Sequence, residues 1–184
     1  MRRRHRRHGF MSKFTTKPKP QPTSMNIDQF IHNPHPFLAG MTRAHLQLLA
    51  ENAAEAHFAA GDLIFREGEN ADRLYLVQIG EVALQTHSAG RSTTVQIIAD
   101  GEALGWSWLF PPHRWLFDAR AQQDTDAISI YVPGLRERIE IDPAFGYELM
   151  KRVAQVVVHR LQATRLKFVQ SQKALSHLEP AFGL

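Results

Sequence analysis

The apolar residues change period three times along the chain. Ile27, Phe30 and Ile31 recur at helical spacing and predict a short helix, which the Asn33-Pro34-His35-Pro36 segment ends. Thr42 then predicts the cap of a second helix, with Leu46, Leu49, Ala50 and Ala53 on the face laid against a sheet. From Ala56 the period becomes two, and short strands alternate with turns at Gly61-Asp62, Glu67-Gly68-Glu69-Asn70, Gly80-Glu81, Ala89-Gly90 and Asp100-Gly101. Short strands broken by such turns every ten residues or so predict an antiparallel sandwich or barrel. Ala119 to Val132 resumes the alternation and closes it.

Helical character returns after Pro133, with Leu135, Ile139 and Ile141 on a short helix. Pro143 sits where a first helical turn tolerates it, and a long helix is expected from there to about Ser176. Met150, Val153, Val157, Leu161, Thr164, Phe168, Ser171, Leu175 and Leu178 follow one another at steps of three and four. A seam of that length exceeds what covering one sheet requires, so it predicts a second helix and hence a parallel homodimer. Folding back onto its own barrel is the alternative.

Composition refines this picture at the two ends. Residues 13–25 are rich in Pro, Thr and Lys without periodic apolar positions, so residues 1–25 are expected to be a disordered basic tail and linker. A domain over 26–142 and a long helix over 143–178 follow. Eight of the 22 basic residues lie in 1–20 beside no acid, which leaves 14 bases against 18 acids in the remainder. The net charge of +4 therefore belongs to the tail, a nucleic-acid or lipid arm or inert sequence, and the folded part is mildly acidic. Cysteine is absent, which excludes disulfides, thiolate catalysis and Cys-held metal. No apolar run suits a bilayer and none follows the basic start as a signal would, so a cytoplasmic protein without a membrane partner is expected.

Gly61-Asp62-Leu63-Ile64-Phe65-Arg66-Glu67-Gly68, Asp72-Arg73-Leu74-Tyr75-Leu76-Val77, Gly80-Glu81-Val82 and Gly101-Glu102-x-Leu104-Gly105 resemble, in order and spacing, the cyclic-nucleotide-binding domain of catabolite-activator (Crp/Fnr) type. The resemblance runs from about Pro36 to Phe168. It implies an α+β, mainly β fold: an eight-stranded antiparallel, jelly-roll-like β-roll with N-terminal helices and a long C-terminal dimerisation helix. It also implies a short phosphate-binding cassette between the sixth and seventh strands. In the family, a glutamate after the cassette glycine takes the ribose hydroxyl, and an arginine further on pairs with the phosphate.

Gly105 stands at that glycine position, Trp106 where the glutamate belongs, and Trp115 where the arginine belongs, with Arg114 one place earlier. An indole has one donor and no acceptor, so it cannot replace the carboxylate. The candidate site is therefore Gly105, Trp106 and Ser107, with backbone amides at a helix start and one hydroxyl, together with Arg114 and Trp115. Trp106, Trp108, Phe110, Trp115 and Phe117 would form an aromatic lining. Such a cassette is expected to take a cyclic nucleotide (cAMP or cGMP) or another small anionic ligand, or else to be filled by its own tryptophans.

Other chemistries find less support. The histidines show no His-x-His strand pattern, so no metal is expected. His113 or His159 could ligate haem, as the resemblance allows in gas-sensing members. No nucleophile elbow, P-loop or dinucleotide fingerprint is present, and the chain is not expected to be an enzyme. The resemblance places a helix-turn-helix after the dimer helix in transcriptional members. Leu178 to Leu184 are too few for one, so no sequence-specific DNA binding is expected. The reading is a sensory module that binds a small molecule, pairs with itself and signals through a protein partner. A non-binding interaction protein is the alternative.

Overall fold

A computed structural model describes residues 25–32, 35–88 and 90–176. The expected tail, apart from Met25, lies outside the described residues, as do Asn33, Pro34, Ala89 and Leu178. Helix α1 spans Ile27–His32, and a 3-10 turn over Pro36–Leu38 leads to α2, Arg43–Ala50. Thr42 caps α2, its Oγ1 accepting from the His45 amide at 3.2 Å. Ala53, expected on this helix, instead opens the first strand. The helix stops at Glu51 because the Asn52 amide turns back to bond the Leu49 carbonyl, and its side chain donates to the Leu48 carbonyl at 3.1 Å.

Eight strands follow: β1 (Ala53–Phe58), β2 (Leu63–Phe65), β3 (Arg73–Ile79), β4 (Val82–Ser88), β5 (Arg91–Ile98), β6 (Ala103–Leu104), β7 (Asp118–Ala121) and β8 (Thr125–Tyr131). They form two antiparallel sheets, in the orders β1-β8-β3-β6 and β2-β7-β4-β5. Phe58, Phe65, Tyr75, Leu76, Val82, Ile98 and Ile128 are buried in one core. This is the predicted β-roll. Gly80 shows why a turn glycine is needed: at φ 109° its missing Cβ would lie 2.6 Å from the Thr125 Oγ1 and 2.7 Å from the Asp124 carbonyl oxygen.

Helix α3 covers Pro133–Ile141 and α4 covers Pro143–Ser176. The first half of α4 lies on the roll. Phe145, Leu149, Arg152, Val153 and Arg160 are buried and Val156 and Val157 are half-buried, all on one stripe of the helix. Val153 and Val157, expected in a seam between copies, thus serve the chain's own core. Their spacing suits both faces, and the roll supplies the nearer apolar surface. Beyond Thr164 the helix leaves the roll, and Leu166, Phe168 and Val169 are exposed. No described helix is long and apolar enough to cross a membrane.

Candidate functional site

The segment between β6 and β7 starts at Gly105, whose φ is 97°. A Cβ there would sit 2.7 Å from the Arg73 carbonyl oxygen and 3.2 Å from the Trp115 ring, so only glycine lets the chain press against β3. A 3-10 turn over Trp106–Leu109 follows. At four residues it is too short to sum into a helix dipole, and the helix-start charge expected of Gly105, Trp106 and Ser107 is correspondingly small. The Trp108 carbonyl oxygen accepts from His113 Nδ1 and from Arg136 Nη2, each at 2.8 Å, tying the turn to α3.

The return path decides where Arg114 and Trp115 point. The Trp115 amide donates to the Glu69 carbonyl and the Gly68 amide to the Trp115 carbonyl, both at 2.9 Å, and Asn70 and Arg114 form an isolated bridge. Consecutive side chains on such an extended segment face opposite ways. Trp115 turns inward, 2% exposed, and stacks on Phe65 with centroids 3.9 Å apart. Arg114 turns outward into solvent and donates through Nη1 to the Gly68 carbonyl oxygen at 2.7 Å.

A hollow of about 240 Å³ lies between this segment and α4. Gly105, Trp106, Ser107, Trp115 and Phe117 contribute to it, but Arg114, Trp108 and Phe110 do not. Trp108 is buried in the core, its Nε1 without a partner among the described residues. Phe110 stands exposed, edge-on to Trp106. Of the five residues expected to bind ligand, four meet at one cavity and the cation is elsewhere.

Its place is taken by Arg160, from the buried stripe of α4. The residue is 8% exposed, and its Nη2 donates to the Ala103 carbonyl oxygen. Its Nε has no partner among the described residues. Burial pushes the guanidinium pKa down from its ordinary value, with the Glu102 charge opposing, yet an arginine stays protonated across the biological range. Among the described residues lining this hollow there is no carboxylate. The sequence did carry a signal for it: Arg160 lies seven residues after Val153, a cation on an otherwise apolar stripe.

Two larger hollows lack such a group. One of about 580 Å³, beside the Pro36–Leu38 turn, holds Arg152, whose guanidinium is already bonded to Glu148 and to the Ala39 carbonyl oxygen. The other, about 600 Å³, holds His57 facing Asp126 at 2.7 Å. The haem candidates are not in the cassette hollow either: His113 is bonded to Trp108, and His159 lines the hollow beside the Pro36–Leu38 turn. Among the described residues no group of three or more His, Asp or Glu is placed to hold a metal ion.

A two-sheet β-roll with a single-turn segment between its sixth and seventh strands, roofed by a helix, is the architecture expected of a cyclic-nucleotide-binding-like domain. The profile of the cyclic nucleotide-binding domain family matches residues 55–142. A candidate cyclic nucleotide-binding protein of Geobacter metallireducens is 33% identical, with 71% of this chain aligned to 96% of that one and a TM-score of 0.64. The chain belongs to the cyclic nucleotide-binding domain family. It is also 25% identical over 126 residues to the CRP-like cAMP-activated global transcriptional regulator of Mycobacterium tuberculosis, a match covering 68% of this chain and 54% of the regulator. It thus spans about half the length of the curated relatives it matches. A cyclic nucleotide-binding domain from Methylobacillus flagellatus, 16% identical over 79% of this chain and 85% of its own, shares the fold at a TM-score of 0.68.

Proposed function

We propose that the chain is a sensory module of the cytoplasm that binds a small anionic ligand between the Gly105–Ser107 turn and α4, and passes the state of that pocket to a protein partner. The observation that carries this reading is Arg160: a buried guanidinium with an unpartnered Nε, facing a cavity that has no carboxylate. Holding this cation out of water is costly, the Glu102 charge offsets only part of that cost, and an incoming anion would offset more of it. Ser107, Gln96 and Thr164 add polar groups around the same hollow.

Because Arg160 belongs to α4 and Gly105 to Ser107 belong to the roll, a bound anion would tie the helix to the cassette. Trp108, bonded to Arg136, would carry that tie on to α3. The exposed Val158, Leu166 and Val169 give α4 an apolar outer side, which we assign to a second copy of the chain. The competing reading, a pocket filled by its own aromatics, draws on the burial of Trp115 against Phe65. Against it, about 240 Å³ stays open beside Arg160.

Thermal-shift screening against a panel of small anions tests the proposal. At least one should raise the melting temperature of the native chain and leave Arg160→Met unmoved, while Arg114→Ala responds as the native protein does. A panel without effect, cyclic nucleotides included, would leave only the interaction protein.

A further inference from the structure

Resting on that reading of the pocket, we propose that its ligand is a compact arylcarboxylate, one or two fused aromatic rings bearing a single carboxylate, and not a cyclic nucleotide. The walls set the body of the ligand. Phe65, Leu84, Trp115, Phe117, Val157 and Leu161 are apolar, and Trp106 stands half-exposed at the edge as a further flat face. A planar apolar ring system is matched by such walls, whereas each sugar hydroxyl placed there needs a partner.

The polar groups set the charge. The pocket offers one guanidinium, whose Nη2 is already bonded to the Ala103 carbonyl oxygen, so a single anionic group at Nε completes it. The other nearby arginine, Arg114, is bonded to Gly68 and faces solvent. The described lining offers a ribose hydroxyl no carboxylate, only the neutral oxygens of Gln96, Ser107 and Thr164, which are weaker acceptors, and Trp106 provides only a donor.

Calorimetric titration of the full chain with 2-naphthoate, 2-naphthamide and cAMP tests the class of ligand. The naphthoate is expected to bind, with the isosteric but neutral amide at least tenfold weaker and cAMP at least tenfold weaker. In Arg160→Met the acid should lose its advantage over the amide. The acid–amide comparison needs no variant, so a poorly folded Arg160→Met cannot rescue the idea. Equal affinity of acid and amide overturns the ion pair. Tighter binding of cAMP than of naphthoate, weakened in Arg160→Met, overturns the arylcarboxylate and leaves the sensory pocket standing. If naphthoate, benzoate and indole-3-carboxylate all fail to bind, the arylcarboxylate falls, while the sensory pocket stands or falls on the thermal-shift panel of small anions.

Discussion

His35 is a residue whose protonation state is dictated by its neighbours. Its Nδ1 accepts from the Phe37 amide and its Nε2 donates to the Val77 carbonyl oxygen, both at 3.1 Å, so the ring is held neutral. Burial pushes its pKa below the ordinary 6.5, with the bonds to backbone opposing. The unfolded chain therefore takes up the proton first as pH falls, and this contribution to stability is present above about 6.5 and lost as pH drops toward the lowered folded value. Melting temperatures read between pH 8 and 5 should fall more steeply for the native chain than for His35→Gln; parallel curves would show that His35 is not the titrating group. Gly105 makes a second prediction at this scale. Gly105→Ala meets the Arg73 carbonyl and an unfavourable φ together and should cost about 1–3 kcal/mol in urea unfolding.

Among the elements, α4 carries two loads that separate near Arg160. Up to that residue it is a lid on the core, and Phe145 and Leu149 are 0% exposed. Leu149→Ala should destabilise the fold by about 2–5 kcal/mol through the cavity it leaves, which chemical denaturation at constant slope would register. The link between the cassette and α3 is a single donor. Arg136→Gln removes its hold on the Trp108 carbonyl, leaving His113 as the other partner. Hydrogen exchange at residues 106–110 should then quicken while the strand amides keep their protection, and unchanged exchange there would show that the bond does not steady the turn.

For the whole molecule, the question is what covers the outer side of α4. Leu166 and Val169 are 65% and 49% exposed, on a helix that outruns the roll. If a second copy covers them, Leu166→Glu with Val169→Glu should convert a light-scattering mass of two chains into one without lowering helix content. A native chain already monomeric at micromolar concentration would remove the pairing.

The amino-acid sequence by itself determined the order of elements and their kinds. Period-two alternation, turn glycines and the prolines that start α3 and α4 act locally, so the antiparallel strands and the start of α4 at Pro143 were legible residue by residue, while the family resemblance carried by the ordered glycines implied the roll and the cassette between β6 and β7. The same resemblance singled out Gly105, Trp106, Ser107 and Trp115, which meet at one hollow. Only the tertiary structure decided which cation faces that hollow. Arg114 is a neighbour of Trp115 along the chain, but the bridge to Asn70 turns it outward. Arg160 is 55 residues after Gly105 in the sequence and reaches the hollow because α4 packs across the roll. The reason is physical: backbone periodicity says which way a side chain points from its own element, and only packing between elements says what stands there to meet it.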